Sequence, residues 1–226
     1  MQNNDYGIIW DVDGTLVDTA TLHYAAWERL AQDLAKPFTQ ADFASTFGRR
    51  NPEIIRQLFG EHHDEASIAD LGFQKEEYYR ASTRAGVEPL PGVRDLLKNL
   101  HEAGFRQAIG SSAPRQNLAL IMELTGLTAY FEMMVGMEDT ERGKPDPQVF
   151  LVAAAKLGLP PTRCLVMEDA VAGVQAAKAA KMACIAVSFV GVGHHSDQSL
   201  QAAGADLVVK TLQNVSIETI KGLLKQ

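Results

Sequence analysis

Cysteine is nearly absent from the 226 residues. Only Cys164 and Cys184 occur, each inside an apolar run, so no disulfide framework is implied and both read as small buried thiols. No apolar run approaches the roughly 20 residues that span a bilayer, and the polar N-terminus lacks the apolar region of a secretory signal. That leads us to expect a cytoplasmic protein without a membrane partner. A basic excess is also missing: Lys and Arg number 21 against 28 Asp and Glu, a net charge of -7, which argues against a nucleic-acid backbone as partner. An acidic chain can still take a small anionic substrate where a metal and a few basic groups invert the local field. Internal repeats and low-complexity segments are absent, and no large apolar surface stripe demands a second copy, so a monomer is expected.

What is present is ordinary for a soluble globular chain, 46% hydrophobic and 22% charged. The organising stretch is Tyr6-Gly7-Ile8-Ile9-Trp10-Asp11-Val12-Asp13-Gly14-Thr15. Its apolar run reads as a buried strand that stops at two carboxylates flanking one valine. On an extended chain, side chains at i and i+2 share a face, so Asp11 and Asp13 are expected to converge and, by mutual repulsion, to call for a hard cation such as Mg²⁺. An acidic turn closing a strand with an Asp-Gly signal is the alternative.

After this strand, Ala20, Tyr24, Trp27, Ala31 and Leu34 form one helical stripe over residues 19–34. Thr39 resembles an N-cap, Asn51-Pro52 opens another helix, residues 61–70 read as a loop or helix entry, and Phe73–Ala85 as a further helix. From Pro89-Leu90-Pro91-Gly92 onward the pattern changes. A helix with Val93, Leu96, Leu97 and Leu100 on one face precedes alternating strands and helices. The strands are Arg106–Ser111, Met133–Gly136, Cys164–Glu168, Ala183–Ser188 and Asp206–Val209. The helices between them are Arg115–Thr125, Asp146–Leu157, Val171–Ala180 and Gln198–Ala203. Such alternation predicts an α/β fold: a Rossmann-like, doubly wound parallel sheet with helices on both faces. The all-helical stretch is an insertion after the first strand. Residues 1–17 and 88–226 are thus expected to form the core and 18–87 a cap joined by two hinge connections.

In such a sheet, ligands sit at the carboxyl ends of the strands, and three more polar sites fall there. Ser111-Ser112 ends one strand ahead of a helix start, where hydroxyls and backbone N–H groups bind anions, although serines also serve as simple caps. Lys144 stands between Gly143 and Pro145-Asp146-Pro147, a stiff setting from which it could neutralise a phosphate or Asp11; a solvated loop lysine is the alternative. Glu168-Asp169 closes another strand at a helix N-terminus, where carboxylates are favourable in their own right. Together these residues suit phosphoryl transfer through an aspartyl-phosphate.

The ordered set Asp11-x-Asp13-Gly14-Thr15, Ser111, Lys144-Pro145 and Glu168-Asp169 resembles the haloacid dehalogenase superfamily over essentially the whole chain. The resemblance implies Asp11 as nucleophile and Asp13 as general acid/base. It implies Ser111 and Lys144 as the phosphoryl-binding pair, and Mg²⁺ on Asp11, the Asp13 main chain, Glu168 and Asp169. Within the superfamily, Asp18-Thr19-Ala20-Thr21-Leu22-His23-Tyr24-Ala25-Ala26-Trp27 is similar to the β-phosphoglucomutase-like subgroup with a helical cap. There the histidine, here His23, couples cap closure to the acid/base, and Thr19 is a hydrogen-bond partner for Asp13.

The mutase pattern has an arginine three residues after a cap glycine, clamping a second phosphate. Here Gly48-Arg49-Arg50-Asn51 puts Asn51 at that place, with both arginines out of register. Substrate contacts are therefore expected from Gly14, Thr19, His23, Gly48, Arg49, Arg50, Asn51, Lys75 and Ser112. The expected function is a Mg²⁺-dependent phosphatase of a small sugar phosphate or related metabolite. The alternatives are a β-phosphoglucomutase-type mutase and a weakly catalytic phospho-metabolite sensor. His194-His195 reads as a surface loop, and His62-His63 receives no role.

Overall fold

The computed structural model describes residues 5–60, 63–188 and 195–225, so His62 and His194 lie outside the described residues. Its centre is β1 (Gly7–Trp10), with every residue buried. It pairs in parallel with β2 (Arg106–Gly110) and β4 (Cys164–Glu168). β3 (Met133–Val135), β5 (Ala183–Val187) and β6 (Leu207–Val209) extend the sheet to the order β3-β2-β1-β4-β5-β6, all parallel. The winding direction changes between β1 and β4, which is the position of the ligand crevice in a doubly wound sheet.

Strand alternation divides the core between the two faces. Ile8 and Trp10 pack with α5 (Val93–Glu102), α6 (Arg115–Thr125) and α10 (Ile217–Leu224). Ile9 packs with α7 (Gln148–Lys156), α8 (Val171–Ala179) and α9 (Asp197–Ala202). The Trp10 indole N–H, buried with its ring, donates to Gln107 Oε1 at 3.1 Å, and Gln107 Nε2 donates to the Leu97 carbonyl at 3.0 Å, so the central strand buries no orphan donor here. Both cysteines are free and buried, and burial pushes the Cys164 thiol up to about 12. No helix among the described residues is long and apolar enough to cross a membrane.

Between β1 and α5 run α1 (Ala20–Asp33), α2 (Gln40–Thr46), α3 (Asn51–Phe59) and α4 (Glu65–Thr83). They bury a hydrophobic cluster of their own around Trp27, Leu30, Phe43, Ile55 and Phe59. Thr39 caps α2 with a reciprocal Asp42 capping box. The chain passes between the layers near Val17, which bridges to Pro89, and Leu90 donates its N–H to the Leu16 carbonyl at 2.9 Å.

Two local expectations are corrected. The helix expected at Phe73 begins at Glu65, because Asp64 accepts the Ser67 N–H at 2.8 Å and caps two turns that look too polar to be helical. The C-terminal helix α10, capped by Ser216, carries the apolar spacing Ile217, Ile220, Leu224 and was not anticipated.

Candidate active site

The ends of β1, β2 and β4 lie level, since Trp10 pairs with both Ile109 and Met167. Asp11 therefore emerges level with Glu168 and with Gly110, the residue before Ser111. Its carboxylate accepts from Lys144 Nζ at 2.6 Å, and the same nitrogen donates to Glu168 Oε1 at 2.6 Å. Lys144 is 1% exposed, so its charge is balanced by these two acids rather than by water. Burial lowers its pKa, but Asp11 and Glu168 prevail and hold it above the ordinary lysine value. Burial drives the Asp11 carboxyl well above the usual range; Lys144 opposes this, while Glu168, Asp169 and Asp13 reinforce it. Removing the lysine leaves two buried acids uncompensated. Lys144→Met is therefore expected to lower stability by about 3–5 kcal/mol, read from the urea unfolding midpoint of the metal-free chain.

Asp11, Glu168 and Asp169 are all buried, and each offers an oxygen within 4.8 Å of the others'. Three hard carboxylates, two of them sharing one lysine, fit a Mg²⁺-type cation by charge and by donor chemistry. Glu168 is oriented by the N–H groups of Asp169 and Ala170, which donate to Oε2 at 2.7 and 2.8 Å. Gly14 closes this wall at φ +83°, and a Cβ there would lie 1.9 Å from Asp169 Oδ2, so only glycine permits the turn.

Asp13 shares the cleft with Asp11 and adds to the charge that raises the Asp11 carboxyl, while its own carboxylate is held from the helical layer. After Trp10 the chain curls, with the Leu16 and Val17 N–H groups donating to the Val12 carbonyl, and the Asp13 carboxylate turns toward the helical layer. Its Oδ1 accepts from Thr19 Oγ1 at 2.5 Å and Tyr79 Oη at 3.3 Å, and lies 3.2 Å from His23 Nε2. Burial pushes its pKa up, but His23 and Thr19 outweigh burial and set it at about 2. Lys75 Nζ lies 2.7 Å from His23 Nδ1. An ammonium only donates, so Nδ1 accepts and the Nε2–H faces Asp13. Lys75 in turn donates to Glu76 Oε1 at 2.8 Å, and Tyr79 stacks on the imidazole with centroids 3.9 Å apart. A relay from Glu76 through Lys75 and His23 to Asp13 thus fixes the tautomer and direction of the imidazole.

Between the layers opens a cleft of ≈ 550 Å³, counting space continuous with solvent at its mouth. Asp11, Asp13, Ser111 and Ser112 form its floor, and His23, Gly48, Arg49, Asn51 and Lys75 reach it from above. Ser111 Oγ accepts the Ala113 N–H at 3.2 Å, which leaves its O–H to donate into the cleft. Arg49 lines the cleft while bonded to Glu53 and Gln57. Asn51 Nδ2 donates to Glu76 Oε1 at 2.7 Å. Arg50 is corrected: it does not line the cleft, and its guanidinium donates to the Glu141 and Met137 carbonyls at 2.8 and 3.2 Å.

Sequence reasoning passed over Tyr79, Glu76 and Asn117. Tyr79 follows Lys75 by one helical turn, a spacing that places them on one face. Asn117 gave no local signal: its amide reaches Glu76 Oε2 at 2.6 Å from a different layer, 41 residues along the chain.

Residues 8–187 match the family model described as haloacid dehalogenase-like hydrolase. The chain belongs to that family. This haloacid dehalogenase-like hydrolase is an enzyme of the phosphatase and mutase kind. It is 31% identical over 220 residues to the β-phosphoglucomutase of Bacillus subtilis, covering 94% of this chain and 92% of that one. It is 31% identical over 182 residues to a fructose-1-phosphate phosphatase of Escherichia coli, covering 80% and 95% respectively. Its fold matches the crystal structure of a β-phosphoglucomutase from Clostridium difficile with a TM-score of 0.87 at 24% identity, covering 97% of each chain. Family members generally use Mg²⁺, and a buried acidic cluster is present in this chain.

Proposed function

We propose that the chain is a Mg²⁺-dependent phosphatase of small sugar monophosphates, with residues 18–87 acting as a cap over the core. The observation that carries the choice of phosphatase over mutase is the engagement of Asn51. At the place of the mutase clamp stands an amide bound to Glu76, while Arg49 is held by Glu53 and Gln57 and Arg50 by core carbonyls. A mutase must hold a bisphosphate that turns over within the site. A phosphatase needs one phosphate site and a water.

In this reading an Asp11 oxygen attacks phosphorus, the ester P–O bond breaks, and the leaving oxygen takes a proton from Asp13. Water then attacks phosphorus, Asp13 takes its proton, and inorganic phosphate leaves a free Asp11 carboxylate. With its pKa at about 2, Asp13 is a base in the substrate-free site. The negative charge of an arriving phosphate raises that pKa and favours the protonated form that the first step uses. Lys144 and the Ser111 hydroxyl would balance and orient the phosphoryl oxygens. Asp11, Glu168 and Asp169, with the Asp13 main chain, would hold Mg²⁺, which supplies positive charge to those oxygens when bound.

The mutase reading keeps one supporting observation, the matching coverage and identity with the Bacillus subtilis enzyme. A product balance separates the two. β-Glucose 1-phosphate is incubated with protein and Mg²⁺, with and without a trace of glucose 1,6-bisphosphate. The phosphatase account expects inorganic phosphate and no glucose 6-phosphate in both arms. Bisphosphate-dependent glucose 6-phosphate would establish the mutase instead.

A further inference from the structure

Arg50 also bridges the two layers, and it is not among the residues that line the cleft. It stands at the N-cap of α3 with no side-chain capping bond, and its guanidinium crosses to the segment between β3 and α7. The two carbonyls it binds, of Met137 and Glu141, belong to the segment that ends in Lys144. That segment is itself braced: Gln148 Oε1 accepts the N–H groups of Glu141 and Arg142 at 3.0 and 2.9 Å, and Asp146 N–H donates to the Gly143 carbonyl at 2.9 Å. The Arg50 Nε is buried with no hydrogen-bond partner among the described residues, so the two terminal nitrogens carry the contact.

Two glycines mark how closely the layers approach. A Cβ on Gly143, the neighbour of Lys144, would lie 2.5 Å from Arg50 Cδ and 2.7 Å from Glu53 Oε1. A Cβ on Gly48 would lie 2.9 Å from the Cβ of Ala170, the neighbour of Asp169. The Gly48–Arg50 turn is therefore seated against the two core loops that present Lys144 and Asp169.

We propose that Arg50 is a positioning residue: its guanidinium latches the helical cap onto the Lys144 segment, so that closing the cleft and setting Lys144 against Asp11 occur together. A planar fork suits this task because two carbonyls are gripped by one rigid group, which a lysine does not reproduce. The coupling is reciprocal, so phosphate bound beside Lys144 favours the closed cap as much as closure favours the phosphate. The activity arm of the test rests on the phosphatase reading, whereas the exchange arm does not.

The test compares Arg50→Gln, Arg50→Lys and Gly143→Ala with the parent chain in Mg²⁺. Gly143 is outside the left-handed region, so alanine there acts by bulk and displaces the latch while leaving the arginine intact. Hydrogen–deuterium exchange, with and without inorganic phosphate, is expected to quicken in Arg50→Gln and Gly143→Ala at residues 46–51 and 137–146 together, with the sheet unchanged. The kcat for a sugar phosphate is expected to fall about 10- to 100-fold, the worth of charge-assisted hydrogen bonds, with KM nearly constant and Arg50→Lys in between. In a further variant, Arg50→Ala, added guanidinium is expected to restore part of the lost kcat. Raised KM with kcat and exchange unchanged would make Arg50 a substrate contact and overturn the latch. Unchanged exchange in both Arg50→Gln and Gly143→Ala would overturn it regardless of activity. If Arg50→Gln fails to fold, Gly143→Ala and Arg50→Lys decide. If no phosphate ester is turned over while exchange quickens at both segments, the latch stands and the phosphatase reading fails.

Discussion

Asp11→Asn is expected to reduce phosphate-ester hydrolysis by on the order of 10⁴-fold or more, because no other group stands where it does. The carboxylate lies at the switch point of the sheet, just past the end of the strand buried between β2 and β4, and is held by a lysine that is itself buried. An amide there keeps the shape and can still accept from Lys144, and Glu168 keeps its own bond to that lysine. The fold is thus expected to survive, as unfolding by urea would check, while the nucleophile is gone. Hydrolysis of a chromogenic phosphate ester with Mg²⁺ measures the loss. Activity within tenfold of the parent would remove Asp11 from the chemistry.

Asp13→Asn separates the two halves of the reaction. A sugar alkoxide leaves poorly without a proton, so hydrolysis of sugar phosphates is expected to fall by roughly 10²–10⁴-fold, the usual contribution of a positioned acid/base. Nitrophenolate needs no proton to leave. With nitrophenyl phosphate the first step is expected to survive while the second, which needs a base for water, stalls. The result is a burst of nitrophenolate approaching one equivalent per chain, followed by slow turnover. The orientation of His23 supports this division of labour. Its Nε2–H is aimed at Asp13 by Lys75, so the imidazole steadies the carboxylate rather than replacing it. Equal, burst-free loss on both substrates would assign Asp13 to binding.

The sheet was legible because buried parallel strands are apolar runs that end abruptly, and those abrupt ends are the site. β4 and α6 fall on their expected residues, and Asp11, Ser111, Lys144, Glu168 and Asp169 come together from four separate stretches. The partners of Asp13 were not legible from strand spacing, since Thr19, His23 and Tyr79 reach it from the helical layer. The cap was harder still. Arg49, Arg50 and Asn51 are neighbours in sequence, yet they reach, respectively, along α3, across to the core, and onto α4. Gly48, at φ +84°, turns the chain just before them. Which of three consecutive polar side chains faces a cleft is set by that turn and by packing against Ala170 and Gly143, none of which the local pattern encodes. Asn117 and Glu76 meet only because α6 and α4 belong to different layers that touch.

The most direct test of the account is covalent capture. The chain would be mixed with nitrophenyl phosphate in Mg²⁺, quenched in acid within one turnover, and the acyl phosphate reduced with tritiated borohydride, which expels the phosphate and leaves the tritium label on the peptide whose aspartate was phosphorylated. The account predicts label on the peptide containing Asp11, reduction of that aspartate to homoserine, a larger labelled fraction in Asp13→Asn, and none in Asp11→Asn. Hydrolysis that proceeds with no captured label in Asp13→Asn, or label elsewhere than Asp11, would contradict it.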